Sequence, residues 1–558
     1  MSETKRGVDV NLVDLQERIA AAIPDRESIV WGEQRFTWQE TNLRTRRIAN
    51  ALLDQGLGKL ESPRVEGWLS HQQHAAVYMR NRPEYIEAVL GSFKARLIPF
   101  NVNYRYTSTE LQVLFADADP AVIFFQSCFA ETLRETLAVL GKCPLLIQID
   151  DDSGVGLMES AHWFHDLLAE GSAAPVPTVP SPDDGYLIYT GGTTGMPKGV
   201  LWRQADIFVA AMGGRRDDFS EFESVAEIID RARGGGKRFL PLPPFMHGGG
   251  LWLAFYAITG GHTLVIQRNT RSFDPIDAMQ TIEREQVDTL VIAGTAFARP
   301  LLEALDEQVY DVSSLTDIHT GGAGLLPELK REWFRHTPDV LISDMFGSSE
   351  GGGHLVGLTT RTQESPQRTF TPVLGTTLLA EDLSMEIQPT DTEIGWVARR
   401  GRLPRGYLND RDKTESTFPI IDGTRYAIPG DRGRWTTGGR IEVLGRDSMC
   451  VNSGGEKVYV EEVEQVLLSH PAVYDVLVAG SPDDLLGECV SAVVQFRPGN
   501  QVTLDELRGF GRGLLASYKL PKRMVVVDEI RRSPAGKADY GWARRTLRAG
   551  LAEGVSSR

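Results

Sequence analysis

The chain has 558 residues, 41% hydrophobic and 24% charged, and a formal net charge of −16. That length predicts two or more domains with ample buried core. The acidic balance argues against a general nucleic-acid-binding surface while leaving room for a local cationic pocket.

Four cysteines, Cys128, Cys143, Cys450 and Cys489, show neither zinc-ligand spacing nor a disulfide framework. The first residues, Met1 to Arg6, lack the apolar core of a signal peptide, and no run of about 18 apolar residues reads as a membrane span. A reducing, cytoplasmic setting is the expectation.

Taken in order, residues 36 to 56 predict a helix with Ile48, Ala51 and Leu52 on one face and Gly56 at its stop. Pro83 to Leu90 predicts a second helix, its proline suited to the first turn. Ala121 to Phe125 has the bulk of a buried strand. Such alternation predicts an α/β layered fold. Residues 59 to 75, with Trp68, His71 and His74, read as a surface loop, without the acidic or cysteine partners a histidine metal site needs.

Residues 171 to 185 form a proline-rich connector, and residues 214 to 238 read as a solvated helix ending in a glycine loop. Pro241 to Gly250 is read as a strand carrying His247 between small-residue turns, followed by apolar Leu251, Trp252, Leu253 and Phe255. Thr289 to Ala293 predicts a strand and Gly294 to Pro300 a turn into a helix. Thr320 to Gly324 is a glycine turn on which a flat ring could lie without a Cβ in the way. After about residue 446 a small α/β pattern begins. Val460, Val463 and Leu467 share a helix face, Val490 to Phe496 alternates as a half-buried strand, and Leu504, Leu507 and Leu514 suggest another helix.

The densest signal is Tyr189-Thr190-Gly191-Gly192-Thr193-Thr194-Gly195-Met196-Pro197-Lys198-Gly199-Val200, entered from apolar Tyr186 to Tyr189 and left through Val200 to Trp202. Glycines permit close backbone approach, threonine hydroxyls can donate to phosphate oxygens, and Lys198 can neutralise charge. It is not a Walker A loop, because Pro197 precedes the lysine and Gly199 follows it. Glycines alone would equally suit a surface loop between two strands, so the weight falls on partner motifs downstream.

Those motifs occur in order. With the loop they resemble the ANL superfamily of adenylate-forming enzymes: acyl-CoA synthetases, peptide-synthetase adenylation domains and luciferases. The resemblance covers essentially the whole chain, although each motif alone is of weak to moderate specificity. It implies an α/β fold, with a large multi-sheet N-terminal domain (1–445) and a small mobile C-terminal α+β lid (446–558). It implies ATP contacts from Thr190, Gly191, Gly192, Thr193, Thr194, Gly195 and Lys198, and an adenine platform at Gly322, Ala323 and Gly324. Asp344, Met345, Phe346, Gly347, Ser348, Ser349 and Glu350 match the family's Tyr-Gly-x-Thr-Glu region, with Phe346 for tyrosine and Ser349 for threonine. Glu350 would be the Mg²⁺ ligand.

His247, Gly248, Trp252 and Thr295 would line the acyl pocket. Asp431 would accept the ribose hydroxyls, and Arg446 would contact ribose or phosphate. The hinge position falls on Ser448, where aspartate or lysine is common. Gly454 and Gly455 would line the pantetheine tunnel, and Lys537, in Ser533-Pro534-Ala535-Gly536-Lys537, would be the adenylation lysine.

The implied chemistry is ATP-dependent acyl-CoA synthesis: a carboxylate attacks the α-phosphorus to give acyl-AMP and pyrophosphate, the lid rotates, and CoA's thiol displaces AMP. A subgroup of bacterial synthetases for fatty acids and steroid-derived acids is the nearest likeness, so a bulky hydrophobic carboxylate is expected. The remaining alternatives are a carrier-protein acceptor, disfavoured because no carrier domain follows residue 558, luciferase-like oxidation, and a silent ATP-binding homologue. Expected partners are the acid, ATP and CoA, with neither nucleic acid nor membrane; a homodimer is left open.

Overall fold

A computed structural model describes residues 6–60, 66–191, 197–366, 368–373, 375–453, 456–483 and 485–552. The first predicted helix is α1, Trp38–Asp54, which begins in a capping box formed by Thr37 and Glu40. Pro83 opens α2, Pro83–Lys94.

These helices flank a parallel sheet of five strands: β1 (His74–Tyr78), β2 (Ile98–Asn101), β3 (Pro120–Gln126), β4 (Leu145–Ile149) and β5 (Ala161–Trp163). Their spatial order is β2-β1-β3-β4-β5. Every residue of β1 is buried, which explains its continuous apolar reading. His74 is therefore a strand residue and not part of a surface loop. Its Nδ1 bonds the Ala118 carbonyl, and burial holds its pKa down.

A hairpin follows: β6 (Gly185–Gly191) pairs antiparallel with β7 (Pro197–Arg203). A helix, α3 (Val225–Gly234), occupies the charged stretch beyond it. The largest sheet then builds a second parallel array from β8 (Arg238–Pro241), β9 (Thr263–Ile266), β10 (Thr289–Ile292), β11 (Asp317–Gly321) and β12 (Leu341–Ser348). Their order is β9-β8-β10-β11-β12. It repeats the order of the first sheet, strand for strand.

Antiparallel β13 (Gly352–Thr359) closes on β12. Strand β14 (Gly406–Tyr407) joins β7, and β15 (Asp431–Thr436) pairs with β16 (Arg440–Arg446). The predicted strand around His247 is instead a turn into a helix. His247 is the N-cap of α4, Gly248–Thr259. The helix is apolar on nearly every side because it is packed into the core. Beyond the helix Pro275–Glu285, α5 (Thr295–Glu307) starts directly after Gly294 and carries Pro300 inside it.

After a turn at Asp447–Met449 the chain enters a separate sheet of β17 (Cys450–Ser453), β18 (Glu456–Tyr459), β19 (Val473–Asp483), β20 (Gly487–Phe496) and β21 (Arg523–Val526). It is covered by α6 (Val460–Leu468), α7 (Leu504–Gly511) and α8 (Tyr540–Ala552). Strand β20 is not half-buried: Cys489 through Val494 are all buried. Val490, Ala492 and Val494 pack into one apolar cluster, while Val493 packs into another beside Leu477 and Leu547. Leu514 lies beyond α7 and is exposed.

Among the described residues no helix is long and apolar enough to cross a membrane. The four cysteines are free. No group of three or more His, Cys, Asp or Glu side chains among the described residues could hold a metal ion.

Candidate active site

The carboxyl ends of β8, β10, β11 and β12 carry His247, Gly248, Trp252, Thr295, the glycine turn 322–324 and the Glu350 motif, while the hairpin, β15, β16 and the C-terminal part supply the other residues singled out from sequence. After β10, Gly294 has φ +63°, and a Cβ there would lie 2.6 Å from the Gly324 carbonyl oxygen. Only glycine allows this approach. The glycine turn is then stitched to the start of α5, since Thr295 N and Oγ1 donate to Gly324 O at 3.0 and 3.1 Å, and Leu326 N donates to Thr295 Oγ1 at 3.3 Å. Thr295 thus braces the predicted adenine turn of Gly322, Ala323 and Gly324.

The turn after β12 carries the predicted Glu motif. Glu350 Oε1 accepts the Tyr407 hydroxyl at 2.7 Å, while Oε2 accepts no hydrogen bond from the described residues. Ser349 O accepts Trp202 Nε1 at 3.0 Å, and Ser348 Oγ lies 3.0 Å from Nε2 of buried His354. Buried Arg399 and half-buried Arg215 clamp the glycines that follow: Arg399 donates to the Gly351 carbonyl, and Arg215 Nη2 to Gly353 O at 3.2 Å. Burial, with the Arg399 and Arg215 charges, drives the His354 pKa to about 3.

Earlier in β12, Asp344 forms an ion pair with Lys330 and is raised above the usual carboxylate range by burial. Met345 lies opposite Gly321, Gly347 opposite Gly353, and Phe346 packs on Phe370 with ring centroids 6.0 Å apart.

His247 is held by its loop. Burial first, and then the charges of Lys537 and Arg105, lower its pKa to about 3, so the imidazole is neutral at physiological pH. Its Nε2 has no hydrogen-bond partner in the described structure. A Cβ on Gly248 would stand 3.0 Å from Ile188 and 3.3 Å from the Trp252 ring. Trp252 is buried and donates through Nε1 to the Tyr186 hydroxyl at 3.0 Å.

From the C-terminal part, the turn Ser533–Lys537 enters this compartment. Gly536, at φ +71°, sits over Ala293, Ala296 and Phe297, and the Lys537 chain passes 3.9 Å from where a Cβ on Gly322 would be. Lys537 remains accessible to solvent from the cleft, yet surrounding protein and the Arg446 charge lower its pKa, with Glu350 acting in the opposite sense. The turn is fixed from behind: Arg532 forms two hydrogen bonds to Asp475, at 2.6 and 2.7 Å, and donates to Gly536 O at 3.2 Å, while Lys537 N donates to Ser533 Oγ at 3.1 Å.

Asp431 and Arg446 face each other across β15 and β16, 3.5 Å apart from carboxylate to guanidinium. Burial raises the Asp431 pKa and Arg446 restrains that rise. Burial opposes the Arg446 charge, but Asp431 and Glu350 more than restore it. Gly445, at φ +140°, lies against the first turn of α6, and a Cβ there would be 2.3 Å from Glu461 Oε2. Ser448 is exposed in the turn between β16 and β17. The acidic residue of that turn is its neighbour Asp447, which accepts from Arg432 at 3.1 Å and Lys457 at 3.3 Å.

The hairpin brings Thr190 and Lys198 opposite each other. Gly191 ends β6, whereas Gly192, Thr193, Thr194 and Gly195 lie outside the described residues, as do Gly454 and Gly455. Lys198 Nζ donates to Asp410 at 2.8 Å and stands 5.9 Å from the centre of the Tyr407 ring.

Tyr407 and Asp410 were missed in the sequence. Asp410 is the N-cap of the helix Arg411–Thr417, a signal that was there to be read. Asn101 was missed too. It ties the hairpin to the histidine loop by donating to Tyr189 O and Met246 O at 2.9 and 2.6 Å and accepting Tyr189 N at 2.8 Å.

Comparison with known proteins places this geometry. The AMP-binding enzyme family matches residues 16–408, and the family's C-terminal domain matches residues 462–537. The medium-chain acyl-CoA ligase Mig of Mycobacterium avium is 45% identical over 98% of this chain and 99% of its own. A medium/long-chain-fatty-acid–CoA/3-oxocholest-4-en-26-oate–CoA ligase of Mycobacterium marinum is 36% identical over 98% of both. Among solved structures, the anthranilate CoA ligase AuaEII in complex with anthranoyl-AMP superposes with a TM-score of 0.82 at 21% identity, over 99% of this chain and 100% of its own.

Proposed function

Because this chain belongs to the AMP-binding enzyme family, we propose that it is an ATP-dependent acid–thiol ligase. It activates a bulky hydrophobic carboxylic acid as acyl-AMP and passes the acyl group to CoA. The observation that carries this reading is the entry of Lys537 into the compartment that holds His247, Glu350 and Arg446. The curated relatives, named for medium- and long-chain fatty acids and for a steroid acid, support the substrate class.

In the first half-reaction a carboxylate oxygen forms a bond to the α-phosphorus of ATP as the bond to the β-phosphate bridge breaks, giving acyl-AMP and pyrophosphate. A carboxylate needs no deprotonation at neutral pH, so neutral His247 serves as a wall beside the acid and not as a base. Lys537 supplies positive charge where negative charge builds up on the α-phosphate. Asp431 accepts ribose hydroxyls while Arg446 opposes the rise that burial imposes on its carboxyl, and Lys198 shifts from Asp410 toward the departing phosphates. Glu350 fits a Mg²⁺ ligand, since one carboxylate oxygen accepts no hydrogen bond from the described residues and this ion keeps most of its shell as water and phosphate oxygen. A Mg²⁺ ion held there would neutralise phosphate charge.

In the second half-reaction the CoA sulfur bonds the acyl carbon and the bond to AMP breaks. Lys537 has no part in that step. The C-terminal unit therefore rotates about the Asp447–Met449 turn, with residues 1–445 as the stationary domain and 446–558 as the lid. The seated Lys537 supports assigning the present arrangement to adenylate formation.

Pyrophosphate release measured over a panel of carboxylates, with and without CoA, tests the reading. The expected result is acid-dependent release with thioester formed only when CoA is present. Phosphate release without acid, or silence over the whole panel, would overturn it.

A further inference from the structure

The five-stranded sheet β2-β1-β3-β4-β5 has its own topological switch point. The chain leaves β1 for β2 on one side and returns past it to β3 on the other. In open parallel sheets, ligands settle outside the carboxyl ends of the strands at that point. A crevice of about 600 Å³ lies there, within the size range of small-molecule sites. Its walls come from the loop after β1 (Arg80, Arg82), the end of β3 (Cys128) and the loop after β4 (Asp151, Asp152). The loop after β9 completes it with Arg268 and Arg271.

The charges differ from the rest of the surface. Arg82 is neutralised by Glu84 through two bonds of 3.1 Å and lies over the Trp31 ring. The other three arginines have no carboxylate partner among the described residues, although the chain carries sixteen more acidic than basic side chains. Arg80 is stacked on Phe129 and Tyr104, bonds only the Cys128 sulfur through Nη1, and leaves a buried Nε unpartnered.

Arg268 and Arg271 project from a built turn. Asn269 N donates to Asp277 at 2.7 Å, Asn269 Nδ2 to Asp274 at 3.3 Å, and Arg271 N to Asn269 Oδ1 at 3.1 Å. Of the acidic lining, Asp151 is occupied by Cys128 N and Ser153 N, while exposed Asp152 presents a carboxylate to the opening.

We propose that this crevice binds a phosphate-bearing nucleoside, with its phosphates on Arg80, Arg268 and Arg271 and its sugar hydroxyls toward Asp152. Guanidinium groups suit phosphate oxygens, and a carboxylate suits vicinal hydroxyls. The ligand has two sources of the same chemistry: the nucleotide end of CoA or a separate nucleotide.

The test is a calorimetric titration with adenosine 3′,5′-bisphosphate of the full chain and of the variant Arg268→Glu/Arg271→Glu, whose side chains are exposed. The expected result is binding by the wild type, weakened at least about tenfold in the variant, with acid-dependent pyrophosphate release in the absence of CoA unchanged. Arg80→Gln, as a second variant, is expected to weaken the same binding.

If CoA is the source, the KM for CoA rises in the variant and the KM for CoA lacking its 3′-phosphate does so less. If a separate nucleotide is the source, the KM for CoA stays put. Equal affinity in wild type and both variants, or no binding of the probe by the wild type, overturns the proposal. The titration reads binding directly and so stays informative even if no acid supports pyrophosphate release.

Discussion

Two five-stranded parallel arrays of this molecule, one a sheet of its own and one within the largest sheet, share one strand order but differ in what they have built at its switch point. Both run second-first-third-fourth-fifth, all parallel. At the carboxyl end of β8 to β12 the loops are glycine-rich and hold one neutral histidine, one glutamate and an incoming lysine. At the carboxyl end of β1 to β4 the crevice is lined by Arg80 and Arg82 from this sheet and by Arg268 and Arg271 lent by the loop after β9.

The two ends are in contact. Asn81, after β1, accepts Phe245 N at 2.6 Å and donates to Pro243 O at 3.2 Å, and Tyr85 donates to Phe245 O at 3.2 Å. The lesson is that topology supplies a crevice and the loops decide its chemistry. Close backbone approach with one mobile cation suits a reaction; fixed guanidinium groups suit holding.

The sharpest way to break this contrast is Lys537→Ala. Adenylate formation is expected to fall by about 10²–10³-fold, with thioester formation from supplied acyl-adenylate intact. Equal loss in both half-reactions would remove the lysine from its role.

Next in size is Arg532→Gln, which frees the turn carrying Lys537 without touching a reacting group. About a tenfold loss of the adenylation rate constant, at unchanged KM for ATP, is the expectation. An altered KM with unchanged rate would mean the Arg532–Asp475 pair does something else.

Substitution of Arg268 and Arg271 should leave that first half-reaction at wild-type speed. A drop there would merge the two crevices into one site.

The last test belongs to neither sheet and reads stability in place of rate. Burial first, then the Glu461 charge, pushes the Glu464 carboxyl up to about 8 from an unfolded value of 4.5. The folded chain keeps a proton that the unfolded chain has released, so stability falls as pH rises through that window. Denaturant midpoints of the wild type should decline between pH 5 and pH 8 more steeply than those of Glu464→Gln.

Much of this was legible in the sequence, for identifiable reasons. Helices such as α1 and α2 announce themselves through periodic apolar faces, caps and an initial proline, which are local properties. Lys537, Glu350 and Asp431 were legible only as members of an ordered set, since each is unremarkable alone. His247 was misplaced on a strand because Gly248, Gly249 and Gly250 speak against a helix, and only packing of α4 into the core overrides that preference. Strand β20 was misread because alternation in one register cannot reveal that α8 covers the other face. Tyr407, Asp410 and Asn101 act through partners 57, 212 and 88 residues away; the N-cap pattern marks Asp410 as a helix start but does not point to Lys198. The arginine crevice was invisible for the same reason.

One further consequence belongs to Gly445. The Glu461 carboxylate fills the volume a side chain there would claim. The seated position of the C-terminal unit therefore works as a key in a keyway, and the notch is cut by a group the residue does not have. Alanine at 445, at its φ of +140°, keeps the lysine-inward seat only if the end of the Glu461 side chain swings away. So the two halves of the chain approach closely here because a side chain is missing, at a place that holds no reacting atom.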